Sequence, residues 1–158
     1  MNLDDGQETI YFVNNPKEEK DIIEKFFNLL IIADYRIISY YGSYFDVPFI
    51  VSRALTLGVD VKKYRKIFPF RQIDVYDVVK RNLKLSKNSL GDVCKFLGIE
   101  KRFDIQGMDM PNFYLKAISG DTEIRKKIDE HLREDLATLR DVWLKIMPVI
   151  DLSRWEKE

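Results

Sequence analysis

The stretch that decides the fold is residues 36–48, which read RIISYYGSYFDVP. Its β-branched and aromatic first half predicts a strand over 36–41, Gly42 breaks that strand, and a helix opens at 46–48. Residues 9–13 and 72–75 have a similar β-prone composition and also predict short strands. A helix pattern follows each of the three strands. This βαβαβα order predicts an α/β fold with parallel pairing in its sheet.

The helices are indicated by apolar residues at helical spacing and by residues that favour helix ends. Asn15-Pro16 supplies a cap and a first-turn proline, and Asp121 caps the last and longest helix, whose end Pro148 marks. Asp121-Thr122-Glu123 is the only Asp-x-Glu in the chain, and its position at a helix start predicts a cap with an acidic first turn. Helices are predicted from 15 to about 31, from 46 to 58, near 80, over 90–97, up to about 120, and from 121 to about 147.

Length and composition limit the classes of protein to which the chain can belong. Its 158 residues and 46% apolar content fit one domain over 1–158, with a core at about 9–147. The longest purely apolar run, 29–33, is too short to cross a membrane. The lone Cys94 cannot form an internal disulfide, which fits a reducing, cytoplasmic setting. Because 26 basic residues balance 26 acidic ones, attraction to a polyanion must be local.

The last predicted helix has one carboxylate out of place. A turn of about 100° per residue puts Asp135 inside the apolar stripe, between the directions of Val142 and Ile128, with His131 one turn earlier on the stripe's margin. Because an ionised carboxylate removed from water is costly unless compensated, Asp135 requires a partner. One alternative is that the helix end opens into a cleft where Asp135 meets an arginine or water. The other alternative is that the Asp135 and His131 side chains both reach into one functional site.

Asp46 is the second acidic candidate. It stands where a strand ends and a helix begins, which is where ligand sites form in α/β proteins. An aspartate at that position also serves as an ordinary helix cap worth about 1 kcal/mol. From the residues alone, the cap is the favoured interpretation.

A basic run is the candidate for contact with nucleic acid. Residues 62–71 read KKYRKIFPFR and interleave cations with aromatic rings. Single-strand binding surfaces combine phosphate contacts with base stacking in this way, although a solvated loop has a similar composition. The cations in question are Lys62, Lys63, Arg65, Lys66 and Arg71.

Taken together, residues 41–49 (YGSYFDVPF) and 131–135 (HLRED) resemble the second and third motifs of the DEDD exonucleases. The resemblance is to the ribonuclease H-like group that includes the proofreading domains of family B DNA polymerases and stand-alone predicted 3′ to 5′ exonucleases. It implies a three-layer α/β/α fold and a two-metal site for Mg²⁺ or Mn²⁺. By this resemblance, Asp46 and Asp135 are metal ligands and His131 orients or deprotonates the attacking water. Tyr41, Phe45 and the five basic residues would contact single-stranded DNA or RNA.

The chain departs from that family at two places. The strand carrying Asp-x-Glu, which supplies two of the four acids, is missing before residue 9, so the fold is expected to be truncated at its N-terminus and to leave exposed strand edges. In the second motif, Tyr41 stands where asparagine is usual. We therefore expect impaired catalysis unless an upstream segment or a second subunit of a homodimer supplies the missing part. The alternative is a catalytically degenerate module of the same fold that binds nucleic acid or oligomerises.

Overall fold

The computed structural model describes residues 1, 3, 6–33, 36–100 and 109–150. The end of the predicted 1–158 domain, residues 151–158, lies outside the described residues. The helices and strands are α1 (Pro16–Ala33), β1 (Ile37–Ser39), α2 (Asp46–Thr56), β2 (Gln72–Asp74), α3 (Val75–Asn82), α4 (Leu90–Leu97), α5 (Met110–Ile118) and α6 (Thr122–Ile146), with 3-10 helices at Val61–Ile67 and Met147–Val149.

The sheet of the described residues has two parallel strands. β1 pairs with β2 in the register Ile37 to Gln72, Ile38 to Ile73 and Ser39 to Asp74. Parallel strands need a crossover connection, which here contains α2 and the first 3-10 helix. The described part of the chain is therefore a mainly helical α/β fold with a small parallel sheet. The three-layer arrangement stays a prediction.

The residues divide into two compact units, Met1–Asn14 with Leu90–Pro148 and Asn15–Ser89 with residues 149 and 150. The prediction of a single domain is not tested by this division. In the unit formed by Asn15–Ser89, the core is a cluster of buried apolar side chains at which α1, α2 and the first 3-10 helix meet. Rings of Tyr64, Phe68 and Phe70 lie 5.2–6.0 Å from the buried Phe27 ring. The buried members of the cluster are Ile23, Phe27, Ala54, Val59 and Tyr64.

In the other unit, α6 packs against α4 and α5. Its apolar stripe is buried at Ile128, Val142, Trp143 and Ile146, as the helical spacing predicts. The Asp121 side chain accepts the N–H of Ile124 at 3.0 Å, which confirms the predicted cap. The one Asp-x-Glu of the chain thus begins a helix.

One local prediction is wrong. Residues 9–13 form no strand, because their backbone pairs with no other described strand. Residues 62–70 lie in the connection between α2 and β2, and most of them belong to the 3-10 helix Val61–Ile67. The rings of this segment pack into the core, because Tyr64 is 1% exposed and Phe68 and Phe70 lie against Phe27.

Candidate functional site

The turn from β1 into α2 is tight and strained. Tyr41 has a φ of 64°, in the left-handed region that a bulky residue adopts rarely. At Gly42 an added Cβ would lie 2.5 Å from both Cβ and Oγ of Ser39, so no other residue fits without movement. The N–H groups of Tyr44 and Phe45 both donate to the Tyr41 carbonyl at 3.2 Å. Strain of this kind persists only where surrounding contacts enforce it, and it is concentrated at functional sites.

The side chain of Asp74 makes the contacts that hold this strained turn. Its carboxylate is 3% exposed and accepts the N–H of Tyr41 at 2.7 Å, of Ser43 at 2.8 Å and of Tyr76 at 3.1 Å. The residue ends β2 and caps α3, so one carboxylate links the sheet, the turn and a helix. Sequence analysis missed this role. The available signal was an aspartate directly before the helix at residue 75, which indicates a cap but gives no sign of the turn.

Asp46 is the first residue of α2, and it does not cap that helix. The N-cap position belongs to Phe45, which makes no side-chain cap bond, so the cap interpretation is wrong. An added Cβ at Gly42 would lie 3.4 Å from Oδ2 of Asp46, which places the carboxyl group against the turn. Although Asp46 as a whole is exposed, partial burial of its carboxyl group raises the pKa. Its own backbone N–H lowers the pKa and the nearby Asp74 carboxylate raises it; the net shift is upward.

Exposed aromatic rings surround Asp46 in sequence, and they form two ordered groups. The Tyr41 and Tyr44 rings stack with centroids 4.9 Å apart, and both meet the Tyr76 ring edge-on. The Phe45 and Phe49 rings are nearly parallel, 6.2 Å apart. We call Tyr41, Tyr44, Phe45 and Phe49, which are 48–64% exposed, the aromatic platform. Sequence analysis found Tyr41 and Phe45 but missed Tyr44 and Phe49, although all four lie in the quoted motif.

Charged groups of α3 lie beside the platform. The Tyr44 hydroxyl donates to Oδ1 of Asp77 at 3.0 Å, and this hydrogen bond to a carboxylate raises the pKa of Tyr44. The ammonium nitrogen of Lys80 lies 5.7 Å from the centroid of the Tyr76 ring. A cation thus accompanies the rings at the platform itself.

The five basic residues predicted to bind nucleic acid are all exposed. Four of them lie on the 3-10 helix Val61–Ile67, and Arg71 lies immediately before β2. Because the intervening rings are in the core, this surface offers charge without stacking. The basic surface and the aromatic platform are therefore different parts of the same unit.

The other candidate pair lies on α6. Nε2 of His131 is 3.3 Å from Oδ2 of Asp135, one helical turn away. His131 is 6% exposed and the Asp135 side chain 37% exposed, so the histidine is the more deeply buried member, contrary to its predicted place on the stripe's margin. Among the described residues, the buried Nδ1 of His131 has no hydrogen-bond partner. The proximity of the two side chains is confirmed, and their roles stay predictions.

The described residues supply too few converging donor groups for a metal ion. Within its unit, Asp46 has Asp74 as its acidic neighbour, but both oxygens of Asp74 already accept backbone N–H groups. Asp135 lies in the other unit with His131. In the part of the chain that the structure describes, no three His, Cys, Asp or Glu side chains converge to hold a metal ion. Since Mg²⁺ and Mn²⁺ require several oxygen ligands, these residues do not by themselves fit a two-metal site.

Comparison with known proteins places the sequence in a family. A sequence profile described as the RNase H superfamily matches residues 2–146. The chain belongs to the RNase H superfamily. In an alignment of 103 residues that covers 54% of the chain, it is also 35% identical to a DNA polymerase of Methanocaldococcus jannaschii. The match spans about 6% of the length of that polymerase. No solved structure matches the chain.

The superfamily match covers both the turn that carries Asp46 and helix α6, which carries His131 and Asp135. The family and its relative indicate a nuclease-like domain. As for membranes, none of the helices that the structure describes has the length and apolar character needed to cross one.

Proposed function

We propose that this RNase H superfamily chain is a domain of the DEDD 3′ to 5′ exonuclease type that acts on single-stranded DNA or RNA ends. In this proposal, Asp46 and Asp135 are metal ligands for Mg²⁺ or Mn²⁺. The other acidic ligands come from outside the described residues, from an additional segment or a second subunit. Cleavage is metal-dependent phosphodiester hydrolysis.

The observation that carries the proposal is the environment of Asp46. A strained turn, held by two hydrogen bonds to the buried Asp74, fixes the start of α2. The carboxyl group of Asp46 lies against that turn, and the aromatic platform stands exposed on both sides of it in sequence. Rigid backbone, a partly buried acid and open aromatic rings are what a site for a strand end requires.

The residues of the chain have separate tasks in this proposal. Bases stack on the aromatic platform, where each contact of this kind is worth about 1 to 3 kcal/mol. Lys80 and the exposed cations of residues 62–71 attract phosphates. His131 positions the Asp135 carboxylate through their 3.3 Å contact. The metal ions, when bound, would supply the activated water and stabilise the leaving oxygen.

The test is nucleotide release from the 3′ end of a 5′-labelled single-stranded oligonucleotide with Mn²⁺ or Mg²⁺. Wild type is compared with Asp46→Asn, with Asp135→Asn and with Asp21→Asn, which changes an exposed carboxylate of α1. We expect each site variant to lose at least about 100-fold in rate, because the lost carboxylate is a ligand, and Asp21→Asn to match wild type. Equal rates in all four proteins would remove the assignment of both residues.

The second candidate function is a binding module of the same fold without catalysis. It is favoured by the incomplete donor set, since no three ligand-type side chains converge among the described residues. Calorimetric titration with Mn²⁺ separates the two functions. No Mn²⁺ binding, together with oligonucleotide affinity that falls steeply with salt, would favour the module. Binding of Mn²⁺ that Asp46→Asn or Asp135→Asn abolishes would favour the nuclease.

A further inference from the structure

Residues 9–13, TIYFV, are a β-prone segment with which no described strand pairs. Among the described residues, no backbone N–H or C=O of this segment makes a backbone hydrogen bond. The Val13 carbonyl accepts the Tyr114 hydroxyl at 2.8 Å, which is a side-chain contact. Backbone groups arranged in this way are an open template for pairing with another strand.

The segment is nevertheless held in place on its own unit, along α6 and α5. Glu8 forms an ion pair with Arg133, and the Arg125 guanidinium lies 3.5 Å from the centroid of the Phe12 ring. Glu8 and Phe12 are four residue steps apart, and their partners Arg133 and Arg125 lie about two turns apart on α6. The two contacts therefore hold both ends of the segment along this helix.

Residues 9–12 alternate between exposed and half-buried, as the two faces of a strand do, and the alternation ends at the half-buried Val13. Ile10 and Phe12 are half-buried, and the Phe12 ring lies 5.3 Å from Tyr114 of α5. Thr9 and Tyr11 are exposed, and Tyr11 is 42% accessible. Residues 9–13 contain no lysine, proline or glycine, which are the residues that protect natural strand edges from pairing.

We propose that residues 9–13 pair antiparallel with the same residues of a second copy of this chain. With Tyr11 on the two-fold axis, Thr9 faces Val13 and Ile10 faces Phe12, which are β-branched and aromatic pairs. One residue further out, Glu8 faces Asn14, so no like charges meet. A segment that is complementary to itself in this register meets the requirement of a two-fold interface. The proposal is independent of any nuclease activity.

Exposed apolar residues of α5 adjoin the segment through Tyr114. They are Leu115 and Ile118, which are 57% and 40% accessible and lie one turn apart with Tyr114 on the same side of the helix. A five-residue strand pair alone buries little surface. We therefore expect a dimer that dissociates on dilution and that buries part of this helix face as well.

Site-directed disulfides in the full chain test the register. In a pair centred on residue 11, the two Cα atoms of residue 11 are about 4.5 to 5.5 Å apart, within disulfide range. The two Cα atoms of residue 9 are about 13 Å apart. We expect mild oxidation to link Tyr11→Cys at least about tenfold more than Thr9→Cys, and an equimolar mixture of Thr9→Cys and Val13→Cys to link where neither does alone. The native Cys94 is buried, so wild type serves as the unlinked control.

Sedimentation over a range of concentrations supplies the second measurement. Wild type is expected to shift from monomer to dimer, and Tyr11→Pro, which removes an N–H at an exposed position, to stay monomeric with an unchanged thermal melt. A wild type that is monomeric throughout overturns the proposal, as does linking of Thr9→Cys that equals linking of Tyr11→Cys. If a nucleic acid or another protein covers this segment instead, wild type stays monomeric and Tyr11→Cys forms no disulfide link.

Discussion

The two regions with candidate site residues are built in opposite ways. The turn at residues 41–46 depends on Asp74, which lies 28 to 33 residues away in sequence. The Asp74 carboxylate is buried. The pair on α6, His131 and Asp135, is joined by a contact between residues four apart in a single helix. The turn therefore requires the fold of its unit, whereas the spacing of the α6 pair is set within one helix.

This difference predicts how each region responds to change. A buried acceptor that serves three backbone donors cannot be replaced without leaving at least one of them unpaired. The contact on α6 joins a buried histidine to a carboxylate that is 37% exposed, so an amide in its place keeps a hydrogen-bonding group at the contact and access to water, and the expected cost is small.

The largest effect is expected from Asp74→Asn. An amide keeps the shape of the carboxylate but directs an NH₂ at one of the N–H donors, and we expect the free energy of unfolding to fall by about 2 to 3 kcal/mol. For Asp135→Asn we expect a loss of roughly 0.5 kcal/mol. Urea denaturation of both variants measures the difference. Equal losses would contradict the contrast between the two regions.

Gly42→Ala is expected to have the next largest effect. The new methyl group would meet Ser39 at 2.5 Å, so we expect a loss of roughly 1 to 2 kcal/mol from overpacking. Ser39→Gly removes both atoms in contact, and the double variant should recover part of the loss. Gly42 has no positive φ, so its loss is steric; Gly98→Ala gives the contrasting case of backbone strain without a clash, since Gly98 has a φ of 66° and open space around its α carbon. Thermal melts that show no recovery in the double variant would mean that the methyl group clashes elsewhere.

Local signals in the sequence predicted more of the fold than of the site. Proline, glycine and capping residues predicted α1 from Asn15-Pro16 and α6 from Asp121, and both are confirmed, with Asn15 Oδ1 accepting the N–H of Lys17 at 2.9 Å. Helical spacing also predicted that His131 and Asp135 would be neighbours. The strand over 9–13 is wrong, because composition gives the tendency to pair but not the partner.

Predictions that depended on contacts distant in sequence were less successful. The link from Asp74 to Tyr41 spans 33 residues and leaves no periodic pattern. The rings of residues 62–70 suggested base stacking, but they lie in the core. An alternation of cations and rings in the sequence does not tell which of the two faces the core. The cap interpretation of Asp46 failed for a similar reason, since α2 begins one residue earlier than a cap at Asp46 implies, with Phe45 at the N-cap position.

The smallest effect, and the one that connects Asp46 to Asp74, is a dependence of stability on pH. The pKa of Asp46 is raised in the folded protein above its ordinary 3.8, first by burial and in addition by the Asp74 carboxylate. The folded state therefore favours the protonated acid, and wild type loses stability as the pH rises from 3.8 through the raised pKa. Asp46→Asn cannot ionise, so its stability should match wild type near pH 3 and exceed it at pH 7, as measured by urea denaturation at both pH values. In the Asp74→Asn background the gain should shrink, since one cause of the shift is removed. A gain that is equal at both pH values would mean that the carboxyl group of Asp46 titrates as it does in the unfolded chain.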